Sequence, residues 1–194
     1  ILAMIWNLAL GIFTAWAWFS MALGGGDGAL TADGVASLKF YTVLSNLFSG
    51  LVSLICAGAM LPVLRGKREE APRWLHLLKF VATAAVALTF FVVTAFFVPL
   101  YGLLDLYSGP NFWFHLTLPL AAVLEFCLLE TEYAVPFRHT PAVMAPPLIY
   151  GIGYLINLLI NGVGYGPESN DWYGFAIWGI PVGLVIFGLI LLAT

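Results

Sequence analysis

Long apolar stretches dominate this chain, and polar residues gather at the breaks between them. A helix that crosses a bilayer needs ~20 mostly apolar residues. Six stretches, numbered here as spans 1 to 6, approach or exceed that length: about 1–23, 37–64, 76–102, 111–130, 142–162 and 174–194. The breaks are rich in glycine, proline or charge, as in GGGDGALTADG and RGKREEAPRW, which is typical of loops. The runs are too long and continuous for barrel strands. The pattern therefore predicts an all-α integral membrane protein, with residues 1–194 forming a single domain, a bundle of six transmembrane helices.

The composition agrees with that class and removes several others. Hydrophobic residues make up 62% of the 194 residues and charged residues 9%, whereas a soluble domain carries roughly a quarter charged residues. The net charge is −3 and no basic arm is present, so we expect no nucleic-acid partner. Cys56 and Cys127 lie inside apolar runs without CxxC spacing. With no metal-ligand spacing and no Walker loop either, we expect no metal and no other cofactor.

The distribution of lysine and arginine predicts an orientation. Six of the seven lie near the loops after spans 2 and 4, namely Arg65, Lys67, Arg68, Arg73, Lys79 and Arg138. Only Lys39 falls on the other side. Because cytoplasmic loops carry the excess of these residues, we expect both termini to be cytoplasmic.

This topology brings polar groups from three spans to the outer leaflet. Thr42 begins span 2 and His115 begins span 4, both just inside the outer boundary, while Asn157 and Asn161 end span 5 on the same side. These segments are far apart in sequence, so their convergence follows from the topology and not from a local motif.

Span 2 carries a polar stripe. Thr42, Ser45, Asn46 and Ser49 follow one another at spacings of three and four, which places them along one side of a helix. Gly50, Ser53 and Ala57 continue this stripe with small residues. One interpretation is a seam against a neighbouring helix, with hydroxyls bonded to backbone carbonyls. The other interpretation is a site.

Two ionisable residues lie in span 4. His115 stands in NFWFHLTLPL, and such a residue at this depth is costly and usually faces the bundle interior or a wet cavity. It is either an interfacial histidine or a catalytic or ligand-binding one. Glu125 lies ten residues further, roughly 15 Å deeper. We expect it to be protonated or to pair with a polar group on another span, in a structural role.

A hydroxyl and an imidazole on facing helices can act as nucleophile and general base toward an acyl carbon. Asn46, Asn157 or Asn161 can orient such a base or donate to an oxyanion. The chain contains no GxSxG and no HExxH, which argues against a soluble-type serine hydrolase or a zinc protease.

KFYTVLSN, followed later by HLTLPLAAVLEF, resembles the androgen-induced and androgen-dependent membrane hydrolases, and more closely their bacterial six-helix relatives. The resemblance covers most of the chain: six helices, a threonine opening the second, and a histidine followed by a proline in a later one. It implies an intramembrane threonine and histidine that hydrolyse fatty-acid esters of hydroxy fatty acids. Carried over by position, Thr42 is the nucleophile and His115 the base, in a bacterial cytoplasmic membrane. Ser45 and Ser49 compete as nucleophiles.

The leading hypothesis is therefore an intramembrane hydrolase whose partner is a membrane lipid or lipid-like ester with a long acyl chain. The ester enters a cleft between spans 2, 4 and 5 from the outer leaflet. The alternative is a non-catalytic membrane protein that binds or transports a small molecule or lipid, with His115 as a proton-linked or ligand-binding group. A third interpretation makes the polar stripe a helix-association seam. A homo-oligomer is compatible with each of them.

Overall fold

The computed structural model describes residues 1–25, 30–131, 133–164 and 169–194. Within those ranges all regular structure is helical, and no strand occurs. The α-helices are α1 (Leu2–Ser20), α2 (Tyr41–Leu64), α3 (Arg73–Val92), α4 (Val98–Tyr101), α5 (Leu103–Leu106), α6 (Gly109–Phe112), α7 (Leu118–Leu129), α8 (Ala145–Asn161) and α9 (Ile180–Leu192). Two five-residue π-helical turns join some of them end to end: Val93–Phe97 connects α3 to α4, and Trp113–Thr117 connects α6 to α7.

Among the described residues, five helical segments are long and apolar enough to cross a membrane: Leu2–Gly24, Tyr41–Leu64, Arg73–Tyr101, Gly109–Leu129 and Phe137–Asn161. These correspond to spans 1 to 5 of the sequence prediction, which is confirmed to that extent. The chain is a membrane protein with several transmembrane-capable helices.

The sixth predicted segment is shorter than expected. The sequence predicts a helix over 174–194, but α9 contains only the 13 residues Ile180–Leu192, or ~20 Å of helix. The prediction is wrong for the first six residues, because Gly174 (φ 72°) and Gly179 (φ 89°) adopt left-handed backbone that a helix does not accept. The Asp171 carboxylate also accepts the Ala176 N–H (2.7 Å) and holds this segment as a turn.

The chain divides into two compact units, and the first comprises Ile1–Val143. In this unit α1 packs against α2 and α7, and α3 packs against the same two helices. The four helices therefore form a closed ring around a common core. Apolar side chains such as Val52, Ala82 and Val86 fill much of that core, but it also contains the polar groups described below.

Small residues allow α1 and α2 to approach closely. A Cβ atom added to Gly50 would lie 2.7 Å from the Cβ of Thr14, and one added to Gly11 would lie 3.0 Å from the Gly50 carbonyl oxygen. This confirms the expectation that the small residues of the span 2 stripe admit a neighbouring helix.

The second unit comprises Met144–Thr194. Helices α8 and α9 meet at Gly151, where an added Cβ would lie 1.9 Å from Cζ of Phe187. The Tyr154 hydroxyl donates to the Asp171 carboxylate and accepts the Tyr173 N–H. These bonds tie residues 171–173, which lie between α8 and α9, to α8.

Candidate functional site

His115 lies in the π-helical turn Trp113–Thr117, called the wide turn from here on, and its side chain is completely buried. The turn is wide because the Leu118 N–H bonds to the Trp113 carbonyl, five residues back. Such turns are rare within α-helices and frequent at functional sites.

The imidazole of His115 has one occupied and one vacant nitrogen. Nδ1 lies 2.8 Å from the carbonyl oxygen of Leu106. A carbonyl only accepts, so Nδ1 must donate, and in a neutral ring the lone pair then resides on Nε2. Nε2 is buried and has no hydrogen-bond partner among the described residues. The ring is thus held in the tautomer in which Nε2 can accept a proton.

Asn111 reinforces this arrangement. Its side-chain amide donates to the carbonyl of Asp105 (3.1 Å). Asp105 precedes Leu106, whose carbonyl accepts the hydrogen bond from His115 Nδ1. Two side chains of the α6–α7 segment therefore hold neighbouring carbonyls of α5, which fixes the orientation of the imidazole.

Asn46 connects the start of α2 to the wide turn. Its Nδ2 donates to the carbonyl of Thr42 (2.8 Å) and to the carbonyl of Phe114 (3.0 Å). In the i→i+5 pattern of the wide turn, the Phe114 carbonyl would accept from the backbone N–H of residue 119. That residue is Pro119, which has no N–H. The Asn46 amide satisfies that carbonyl instead, and in doing so brings the backbone of Thr42 beside the residue that precedes His115.

The same geometry bears on the role of Asn46. An asparagine amide has two N–H groups, and both are occupied by backbone carbonyls. In this structure Asn46 therefore positions the two segments, and its amide is not free to donate to an oxyanion.

The candidate hydroxyls differ in their partners. The Ser45 hydroxyl lies 2.9 Å from Oγ1 of Thr89 and donates to the Thr42 carbonyl at 3.2 Å, so it links α2 to α3. Thr42 is 6% exposed, and its hydroxyl has no hydrogen-bond partner in the described part of the chain, His115 included. Ser49 is buried further along α2. Between Thr42 and Ser45, it is Thr42 whose hydroxyl has no hydrogen bond to the described residues.

Asn157 and Asn161 belong to the second unit and make their contacts there. Asn157 Nδ2 donates to the carbonyl of Asn170 (3.4 Å), and Asn161 Nδ2 donates to Oδ1 of Asn157 (2.9 Å). Both residues help to hold the loop that follows α8.

An apolar groove runs beside the wide turn. It has a volume of about 410 Å³ and is lined by α1, the wide turn and α7, including Trp6, Leu10, Phe13, Trp113, Thr117 and Leu118. The ring of Trp113 packs edge to face on Trp16, with centroids 5.3 Å apart. The groove offers almost no polar surface, which suits a hydrocarbon chain.

A second polar site lies at the other end of the four-helix ring. Lys79 is completely buried, and its Nζ lies 2.6 Å from Asn7 Oδ1, 2.7 Å from Ser53 Oγ and 3.0 Å from Glu125 Oε2. Asn7 also donates to Glu125 Oε1 at 2.6 Å. We call Asn7, Ser53, Lys79 and Glu125 the charged cluster. The expectation that Glu125 pairs with a polar group on another span is confirmed.

The sequence interpretation missed this site because it grouped Lys79 with the basic loop after span 2. In the structure Lys79 is directed into the bundle, so the basic excess that predicts the orientation falls to five residues against one. A signal was present in the sequence: Lys79 near the start of span 3 and Glu125 near the end of span 4 are opposite charges at matching depth. Among the described residues, no group of three or more potential metal ligands occurs.

Comparisons of the chain with protein-family models, with curated proteins and with solved structures return no match. The fold and the two buried polar sites therefore define its class, a helical membrane protein with ionisable groups in its core.

Proposed function

We propose that this chain is an intramembrane hydrolase of long-chain lipid esters, with Thr42 as nucleophile and His115 as general base. The observation that carries the proposal is the His115 ring, whose Nδ1 is held by a carbonyl while Nε2 is buried without a partner in the described residues. The resemblance to the androgen-induced and androgen-dependent membrane hydrolases implies the same pair of residues.

The proposed reaction has two stages. Nε2 of His115 takes the proton of the Thr42 hydroxyl as its oxygen attacks the ester carbonyl, and the alcohol leaves with that proton. Water then attacks the acyl-threonine, again giving its proton to Nε2. The fatty acid leaves and the hydroxyl of Thr42 is restored. The Leu106 carbonyl stabilises the imidazolium that forms in each stage, because it accepts from Nδ1 throughout.

The apolar groove supports a long-chain substrate. Trp113 and Thr117 line the groove and lie two residues on either side of His115, within the wide turn. An acyl chain lying between α1 and α7 would thus have its ester close to the segment that carries the base. The volume of about 410 Å³ is within the range usual for ligand sites.

We further propose six crossings with both termini in the cytoplasm of a bacterial cell, the sixth crossing being α9. Five basic residues flank the loops after spans 2 and 4, and Lys39 alone lies on the opposite side, which supports that orientation. At ~20 Å, α9 is shorter than the ~30 Å hydrocarbon core, so a crossing there needs local thinning of the bilayer, snorkelling of flanking residues or oligomerisation.

The test is turnover of a fluorogenic long-chain ester by the purified protein in lipid nanodiscs. Thr42→Ala and His115→Gln are each expected to lower kcat by roughly 10²-fold or more. Thr83→Val is the matched control, because Thr83 is another buried threonine whose hydroxyl has no partner in the described residues. It should retain the parent rate, and helix content and gel filtration should show that all variants are folded.

The competing hydroxyls are tested in the same assay. Turnover that survives in Thr42→Ala but disappears in Ser49→Ala or Ser45→Ala would transfer the nucleophile to that serine. A folded parent protein without turnover on esters of any chain length would contradict the proposal.

A specific observation favours the second candidate, a non-catalytic protein that binds or transports a small molecule or lipid. Lys79 and Glu125 are completely buried, and ionisable pairs within membrane helices are typical of transport and proton pathways. For this candidate we expect no ester turnover. Addition of the ligand should raise the thermal stability of the parent protein, and His115→Gln should abolish that rise.

A further inference from the structure

The charged cluster continues toward the end of α7. Asn7 Nδ2 lies 3.4 Å from Oε1 of Glu130, and Oε2 of Glu130 lies 3.5 Å from Nδ1 of His76. Asn7 therefore faces two carboxylates at the C-terminal end of α7, Glu125 within the helix and Glu130 directly after it. The proposed hydrolysis uses none of these groups.

The side-chain nitrogen of Asn7 has more acceptor neighbours than it has hydrogens. Three acceptor oxygens surround its Nδ2, namely Glu125 Oε1 at 2.6 Å, the Ala3 carbonyl at 3.0 Å and Glu130 Oε1 at 3.4 Å. An amide nitrogen carries two hydrogens. Lys79 donates to Asn7 and Ser53, while Glu125 Oε2 lies 3.0 Å from its Nζ as an ion pair but is buried without a hydrogen-bond partner in the described residues. One of the three oxygens therefore receives no hydrogen from Asn7, and two carboxyl groups lie on either side of one amide, which favours a proton on one of them.

The sum of the charges also favours one added proton. Lys79 contributes one positive charge, while Glu125 and Glu130 contribute two negative charges. Lys79 and Glu125 are completely buried and Glu130 is 19% exposed. An unbalanced charge in such a largely buried site is costly, and one added proton brings the sum to zero. Among the described residues, the other titratable or charged side chains that line the pocket at this end of the bundle are Cys56 on α2, Arg73 and His76 on α3, and Glu70 and Tyr133 beside them. Arg73 is engaged with Glu70 (3.6 Å) and with the ring of Tyr133.

A pocket gives this site access to water. The pocket, called the basal pocket here, has a volume of about 250 Å³ and is lined by Ala3, Cys56, His76, Glu130 and Tyr133 among others. A large part of its lining is polar, and it is roomy enough for several water molecules. His76 and Glu130 line it directly, and Ala3 is one of the residues bonded to Asn7.

We propose that Glu125 and Glu130, bridged by Asn7, form a proton-binding site that is loaded from the basal pocket through His76. Water in the pocket gives a proton to the imidazole, and the imidazole passes its Nδ1 proton to Oε2 of Glu130. The carboxylate becomes a carboxyl group, the ring returns to its neutral form, and the charge of Lys79, Glu125 and Glu130 changes from −1 to zero. The site is independent of the proposed hydrolysis and lies at the opposite end of α7.

The experiment is infrared difference spectroscopy of the full-length protein in nanodiscs, titrated between about pH 8 and pH 5, the range in which histidine ordinarily changes charge. We expect the band of a protonated, buried carboxyl group to appear on acidification. Glu130→Gln should abolish this band, and Glu130→Asp should shift its frequency. Glu70→Gln is the matched control, because Glu70 lines the same pocket but is 65% exposed and bonded to Arg73. It should leave the band unchanged.

Each other result overturns the proposal. A folded parent protein with no carboxyl band in this range has no such site. A band that persists unchanged in both Glu130 variants belongs to another carboxyl group. Changes confined to imidazole bands would place the proton on His76 and not on the carboxyl pair. Should Glu130→Gln fail to fold, the frequency shift in Glu130→Asp decides the assignment.

Discussion

Replacing Lys79 by methionine tests the energetics of the charged cluster. The substitution keeps much of the side-chain length but removes a charged nitrogen that lies 2.6, 2.7 and 3.0 Å from three oxygens. Glu125 is left as a buried carboxylate without its counter-ion. Breaking a buried ion pair in this way costs about 3–5 kcal/mol. The ratio of folded to unfolded protein should therefore fall by roughly 10²- to 4 × 10³-fold.

The double variant Lys79→Met/Glu125→Leu separates the pair from its two members. Each single change leaves one charge buried and unpaired, whereas the double change removes both, and replacing a buried pair by apolar residues is often neutral or stabilising. We expect the loss in the double variant to be smaller than the sum of the two single losses by at least about 2 kcal/mol.

The assay is equilibrium unfolding in mixed micelles with increasing dodecyl sulfate, followed by circular dichroism. Lys67→Met is the control, because Lys67 is exposed and its replacement should change the free energy of unfolding by no more than about 0.5 kcal/mol. If Lys79→Met is as mild as Lys67→Met, or if the double variant equals the sum of the single ones, the cluster is not an ion pair of the kind described.

Three further predictions concern close packing and the Asn46 bridge, and the same unfolding assay checks each. Gly50→Ala should cost about 1–3 kcal/mol, because the added Cβ would meet a threonine of α1 at 2.7 Å. The control is Gly58→Ala, where an added Cβ has nothing within 4 Å, and it should be neutral or stabilising by up to about 1 kcal/mol. Equal losses in the two variants would contradict the close approach of α1 and α2. Asn46→Leu should cost about 1–3 kcal/mol, since it leaves the Phe114 carbonyl without its donor; a loss below about 0.5 kcal/mol would show that the bridge carries no stability. Gly151→Ala should lower the thermal stability because of its approach to the α9 phenylalanine, and Phe187→Leu in the same chain should restore it. Absence of that rescue would argue against contact between α8 and α9 at this point.

Hydropathy predicted the five long helices because each is a continuous apolar run bounded by glycine, proline or charge. It could not predict where α9 begins. The residues around Gly174 and Gly179 are largely apolar, and the turn depends on the left-handed backbone of these two glycines and on the bond from the Ala176 N–H to Asp171. Hydropathy measures the environment a side chain prefers and says nothing about φ.

The two polar sites were predictable to different degrees. The spacing of Thr42 and Asn46 and the depth of His115 indicated that α2 and the fourth span share a polar region. The bond from Asn46 to Phe114 was not accessible, because it depends on a wide turn and on a proline five residues beyond the carbonyl. Lys79 was misassigned because the rule that counts basic residues near loops does not distinguish a side chain in the headgroups from one in the core.

The wide turn also has a mechanical consequence. It contains one residue more than an α-helical turn, so deletion of a single residue between Trp113 and Thr117 would close it into ordinary helix. Each residue of an α-helix rotates the chain by about 100°. A deletion within α7 before Glu125 would therefore turn Glu125 away from Lys79 by about that angle, whereas a deletion in the wide turn removes the residue that the turn holds in excess and leaves Glu125 facing Lys79. The wide turn thus confines the effect of its extra residue to the segment around His115 and leaves the buried ion pair at the other end of the bundle in register.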